Sequence, residues 1–151
     1  VSIKLDDLIE GCSHFRYREF ICNCGECNPN EIIKNEILRR NLINLAQALE
    51  VIRQLATLWY FKEVRLFVTK GGGYRCKKHS DRIKRPNTYH GLCLAADIYS
   101  PDMSYKDLSE VITRQNIFKR IGHYPQDKFF HLDLGEGIAR WVRINGEYYS
   151  I

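Results

Sequence analysis

The sequence predicts an α+β fold: a small antiparallel sheet packed against a long N-terminal helix and a shorter second helix. Three observations lead there. Apolar residues recur at three- and four-residue steps from Leu38 to Leu55, the marks of a helix with one buried stripe. Short runs of period two or of continuous apolar character fill the middle and the end of the chain. No segment repeats, and no low-complexity tract or linker divides the chain. With 151 residues there is room for one domain with a substantial core, so 1–151 is read as a single domain.

Residues 1–30 read as an irregular, Cys-containing arm whose Phe15, Tyr17, Phe20 and Ile21 pack onto the core. Asn28-Pro29-Asn30-Glu31 is a turn and a helix start, with Asn30 as the N-cap. The long helix that follows carries Leu38, Leu42, Leu45, Leu49, Ile52 and Leu55 on one face and ends near Tyr60. Alternation of Val64, Leu66 and Val68 predicts a half-buried strand over Glu63–Thr69. Gly71-Gly72-Gly73 then removes side chains that would block a close backbone approach. It is a poor phosphate loop, because no Gly-Lys-Ser/Thr follows it. The Lys/Arg-rich stretch to Pro86 is expected to be an exposed loop. Leu92–Ile98 is a buried strand. Ser104 and Asp107 open a second helix through about Arg114, its inner side formed by Leu108, Val111 and Ile112. Ile121-Gly122 begins another strand and Phe129–Leu134 alternates again. Ile138–Ile144 then turns at Asn145-Gly146 into a terminal hairpin.

Hydrophobic residues at 44% and charged residues at 27% are ordinary for a globular chain. No apolar run is long enough to cross a bilayer, so membrane insertion is not expected. The chain begins at Val1 without a basic-then-apolar leader, which leaves export open. A net charge of +5 suits a polyanionic partner. The basic clusters at Arg75–Lys78 and Arg82–Arg85 lack the interleaved aromatics that stack bases, so no specific nucleic acid is expected. Six cysteines are many for this length. Cys22, Cys24 and Cys27 crowd together and leave three readings open: isolated thiols, disulfides, or a structural zinc completed by a fourth thiolate or by His14.

The chemistry-bearing residues lie in two places. Thr88 to Asp97 contains His90 and Asp97, seven positions apart, which meet only if the segment folds back. Phe129–Leu134 contains His131 and Asp133, two apart on a strand and therefore on one face. Two imidazoles and a carboxylate could share a metal ion and leave a coordination position for water, as catalytic zinc does.

The stretch Gly72-Gly73-Tyr74-Arg75-Cys76-Lys77-Lys78-His79 resembles the Ser-Gly-Tyr-Arg-Cys-x-x-His/Asn signature of zinc-dependent murein peptidases. These form the D-alanyl-D-alanine carboxypeptidase and dipeptidase family, akin to Hedgehog signalling domains. Thr88-Tyr89-His90, followed by Gly91, Ala95 and Asp97, is similar to their Ser-x-His and Gly-x-Ala-x-Asp motif. His131-Leu132-Asp133-Leu134 resembles their closing His-Val-Asp-Val element, and Arg140-Trp141 follows it. Phe15–Cys24 is similar to the entry segment of the short, single-domain branch.

The resemblance implies a sheet carrying one catalytic zinc on His90, Asp97 and His131, with Arg75, Thr88 and Tyr74 contacting substrate. It implies hydrolysis of an amide in the peptide stem or cross-link of peptidoglycan, by a monomer. The setting would be the cell wall, the periplasm, the outside of the cell, or a phage lysin. Gly72 replaces the family's Ser. Lys128 stands where many relatives carry an acid three residues before the last zinc histidine. Asp133 is then the first choice to orient or deprotonate the zinc-bound water, and Asp127 the second. These departures keep open a rival, a zinc-containing binding module of the same fold without turnover.

Overall fold

The computed structural model describes residues 2–84 and 89–151; Thr88, Pro86 and Arg85 lie outside them. Among the described residues, four helices, α1 (Glu31–Lys34), α2 (Glu36–Tyr60), α3 (Lys77–Arg82) and α4 (Tyr105–Gln115), accompany six strands. The strands are β1 (Phe67–Val68), β2 (Ala95–Tyr99), β3 (Arg120–Tyr124), β4 (Phe129–Asp133), β5 (Ala139–Ile144) and β6 (Glu147–Ser150). They form one sheet in the order β1-β2-β4-β3-β5-β6, antiparallel except where β5 runs parallel to β3. The α+β reading holds, with a long helix and a mostly antiparallel sheet.

The stripe of α2 is buried as its spacing requires: Leu38, Leu42, Leu45, Leu49 and Ile52 all lie inside, with Phe15, Phe20, Phe118 and Phe130 in the same core. Burial of each large aliphatic side chain contributes about 1.5–3 kcal/mol. Helix propensities differ by only about 0–0.7 kcal/mol per ordinary residue, so tertiary packing sets this helix. Its start differs from expectation. Asn30 makes no side-chain cap and precedes only the single-turn α1. Asn35 is extended and its side chain accepts from Ile37 N and Leu38 N, capping α2. The end at Tyr60 is as expected, closed by Phe61 in the left-handed conformation.

The strand expected over Glu63–Thr69 pairs only at Phe67–Val68. Val64 and Leu66 are buried as the alternation implied, but their neighbourhood hydrogen-bonds to side chains instead of a ladder. Val64 N donates to Thr57 Oγ1, and Arg65 N donates to Asp102. The Lys/Arg-rich stretch is not a plain loop: Cys76 caps α3, its sulfur accepting from His79 N. Ser104 caps α4 through Asp107 N, and Leu108, Val111 and Ile112 face inward. Asn145 and Gly146 both have positive φ, the conformation of a tight turn between β5 and β6.

The arm packs on the core through Ile9, Phe15, Tyr17 and Phe20. His14 is committed to Glu50, a buried acid of α2. Gly73 lies flush against Phe20: a Cβ there would stand 2.7 Å from the Phe20 backbone. Tyr74 N donates to Phe20 O at 2.8 Å. The arm is therefore the backing of residues 71–76.

The two asparagines make a direct test of the helix start. Asn35→Ala should cost about 1 kcal/mol in urea unfolding and Asn30→Ala close to nothing; equal losses would place the cap wrongly.

Candidate metal centre

Strand register builds the site. Asp97 on β2 lies directly opposite His131 on β4. The backbone of Asp97 is used on its other side, where its N donates to Gly72 O and its O accepts from Thr69 N. Facing β4, the residue thus belongs to a non-hydrogen-bonded pair, the kind whose side chains stand closest. Asp97 Oδ1 lies 3.0 Å from His131 Nδ1. His90 arrives from a 3-10 turn at His90–Leu92, and Cys93 in the left-handed conformation (φ 56°) folds the chain back into β2. His90 Nε2 stands 3.2 Å from His131 Nδ1 and 3.5 Å from Asp97 Oδ1. The segment does fold back on itself, and the three expected ligands meet.

Each ring is also held from behind. His90 Nδ1–H donates to Gly73 O at 2.9 Å, which leaves the Nε2 lone pair facing the site. His131 Nε2 lies 2.8 Å from Asp133 Oδ2. Backing of this kind orients metal-binding imidazoles and fixes their tautomers. The donor set therefore fits a divalent ion: two imidazole nitrogens and one carboxylate oxygen, nearly equidistant, each on an anchored side chain.

Electrostatics agree. Burial opposes ionisation of Asp97, but hydrogen bonds and charge from His131 and His90 hold its carboxyl well below the usual range. Burial likewise opposes a charged His131, yet Asp133 and Asp97 carry its pKa up to about 8.

The remaining expectations divide. Arg75 reaches the site, donating from Nη2 to Asp97 Oδ2 at 2.9 Å and from Nε to Gly71 O at 3.0 Å. Asp133 stands behind His131 and is 1% exposed. Its second oxygen accepts from Arg120 Nε and Gly135 N. This placement fits the orienting half of its expected role and not the proton-accepting half. Asp127 is exposed and faces a separate hollow with Gln126, Arg143 and Gly146, so it does not reach the ligands. Tyr74 is not among the residues that line the cleft; it packs against the core beside Phe20. Thr88 lies outside the described residues. Gly72 has no room for a serine, because a Cβ there would stand 2.2 Å from Thr69 Oγ1, whose hydroxyl occupies that space. His79 faces Cys22 and His123 packs edge-on against Phe130, away from the ligand set.

The ligands open into a cleft of about 470 Å³. Tyr89, Tyr124, Phe129 and Trp141 supply its apolar walls, and Arg120 and Arg143 join Arg75 as cations. Sequence reasoning missed these residues apart from the Arg140-Trp141 match. Trp141 is opposite Gly122, which is opposite His131. A side chain at Gly122 would collide with the Trp141 ring at 2.5 Å, so the glycine lets the indole lie against the imidazole. Similarly Gly135 makes room for the Tyr89 ring, over which Arg120 sits at 4.9 Å.

The family described as Peptidase M15 matches residues 13–133. The chain is an M15 peptidase. The matched span contains the arm from Ser13 onward, the Arg75 segment, and His90, Asp97 and His131. No curated protein matches the chain. The M15 family is a zinc-dependent hydrolase family, and in this M15 peptidase His90, Asp97 and His131 form a group that could hold a metal ion.

Two measurements check the site. Zinc affinity, read by chelator competition, should weaken as pH falls through about 8, where His131 gains a proton that zinc must displace. Asp133→Asn should lower that affinity by about 10–100-fold and move the fall to lower pH, since Asp133 helps to raise the His131 value. An unchanged profile would separate Asp133 from the ring.

Proposed function

We propose that this M15 peptidase hydrolyses an amide bond in the peptide stem or cross-link of bacterial peptidoglycan, with a zinc ion held by His90, Asp97 and His131. The observation that carries the reading is the convergence of those three donors at the floor of an open cleft lined by arginines. A zinc ion held there supplies a Lewis acid for the scissile carbonyl and lowers the pKa of a bound water toward about 7.

The chain's own residues do the rest. Gly73 O and Asp133 hold the two rings in the tautomers that present lone pairs to the cleft. Arg120 donates to Asp133 at 2.8 Å and holds it in place. Arg75 steadies Asp97 and lies at the cleft, where a guanidinium fork suits a stem-peptide carboxylate or the oxygen that gains charge during hydrolysis. Arg143 also lines the cleft, and its Nε is buried without a hydrogen-bond partner among the described residues. Three cleft arginines against two aspartates leave an excess of positive charge before any metal is added. That balance favours an anionic peptide terminus, as in a D,D- or L,D-carboxypeptidase or endopeptidase acting at the cell wall, in the periplasm or outside the cell, or as a phage lysin.

One observation favours a second reading, a zinc-bearing binding module. Among the described residues no cleft carboxylate has an uncommitted oxygen: Asp97 is shared with Arg75 and the histidines, and Asp133 with His131 and Arg120. Purified muropeptides separate the readings. A peptidase releases a new amine and a shortened stem detectable by mass spectrometry. A module binds the same material and leaves it intact.

For the peptidase, His90→Ala and His131→Ala should each lower turnover by at least about 10³-fold, since a metal-activated nucleophile is removed. Chelation should do the same to the wild type, with recovery on adding zinc. Full hydrolysis by a metal-stripped sample would refute the mechanism.

A further inference from the structure

Four of the six cysteines do not belong to the cleft and are not scattered. Cys22, Cys24, Cys27 and Cys76 bring their sulfurs within 4.8 Å of one another, Cys24 and Cys76 to 3.6 Å. Zinc–thiolate bonds of about 2.3 Å in a tetrahedron place sulfur atoms about 3.8 Å apart, so the cluster has the dimensions of a closed four-thiolate site. Its backbone is turned toward the sulfurs. Glu26 N and Cys27 N both donate to Cys24 Sγ, Cys76 N donates to Cys22 Sγ, and His79 N donates to Cys76 Sγ. Amide donors converging on sulfur stabilise thiolates, the form that binds metal. Gly25, with φ of +75°, allows the tight turn that brings Cys24 and Cys27 to one point.

We propose that these four cysteines hold a second, structural zinc ion that ties the N-terminal arm to the start of α3. Of the fourth ligands open to the sequence, a thiolate and His14, the structure selects the thiolate of Cys76, since His14 is engaged with Glu50. Disulfides are the competing use of the same sulfurs. Against them, Cys22 and Cys24 are too close in sequence to bridge easily, and mutual proximity of all four singles out no pairing. Cys12 and Cys93 are outside the cluster, buried singly, and burial pushes each thiol up to about 12. They stay inert on either account.

The location gives the ion its purpose. Cys76 directly follows Arg75, and the arm already backs this segment through Tyr74 N and Gly73. A metal joining Cys22, Cys24 and Cys27 to Cys76 would fix the segment that delivers the Arg75 guanidinium and the Gly73 carbonyl to the cleft. This positional role rests on the peptidase reading; the metal site itself does not.

The test is zinc content by plasma mass spectrometry on protein isolated with reductant, together with absorption spectra after cobalt exchange. The wild type should hold two equivalents of zinc. The His90→Ala/His131→Ala protein should lose hydrolysis yet keep one, and its cobalt form should show thiolate-to-cobalt charge-transfer bands. Cys24→Ser/Cys76→Ser should lose that equivalent and retain the histidine-bound one. Because that variant could fail to fold, the double-histidine protein decides the matter alone. A metal-free double-histidine protein, cobalt spectra without thiolate bands, or the four cysteines recovered as disulfides from fresh protein would each overturn the proposal. None of those outcomes touches the cleft reading, which stands or falls on hydrolysis.

Discussion

The register of β2 against β4 is the constraint on which the site depends. A shift by one residue would turn every side chain of β2 to the opposite face and remove Asp97 from His131. Nothing in the chemistry of a carboxylate or an imidazole brings them together; the pairing does. The register is itself held by burial, because Ala96 and Ile98, alternating with Asp97, and Leu132 and Phe130, alternating with His131, all belong to the core. The same ladder that packs the interior on one face thereby sets two ligands side by side on the other.

Around that pair the structure spends much of its polar inventory on orientation. Gly73 O, Asp133, Arg75 and Arg120 each touch a donor residue or its support, so the rings have little freedom to turn. Such backing pre-organises a metal centre, since the ligands need not be ordered when the ion binds. It also explains the glycines. Gly72 and Gly73 allow the Arg75 segment to lie against Asp97 and against the arm, and Gly122 admits the Trp141 ring beside His131. The arm, far from peripheral, is the surface on which one wall of the site is built.

Much of the fold was legible in the sequence wherever one local signal decided the outcome. The α2 stripe, the Ser104 cap and the Asn145-Gly146 turn depend on neighbours a few residues away, and all were readable. The α2 cap is not decided by local sequence, because Asn30 and Asn35 are both acceptable caps and choosing between them takes the α1 turn. In the site, His131 and Asp133 on one face followed from strand period alone. The return of Asp97 to His90 was only permitted by spacing, since it needs Cys93 in a left-handed conformation that no propensity favours. No local signal places Arg120, Trp141 and Arg143 in the cleft, because Arg120 gets there through the pairing of β3 with β4 and the other two through the parallel pairing of β5 with β3, both long-range choices. Asp127 and Tyr74 lie away from the cleft lining for a related reason: proximity in sequence to His131 or to Arg75 does not set the direction of a side chain. The fourth thiol, Cys76, was likewise too remote in sequence from Cys27 to be assigned by spacing.

The proposed chemistry requires His90 Nε2, His131 Nδ1 and Asp97 Oδ1 to grip one divalent ion at the floor of the cleft. Anomalous diffraction at the zinc edge, on crystals grown with zinc, addresses it most directly. The expected result is a peak among those three atoms, with Asp133 still behind His131. Absence of a peak there in fully zinc-loaded protein, or rings turned so that those nitrogens face elsewhere, would contradict it.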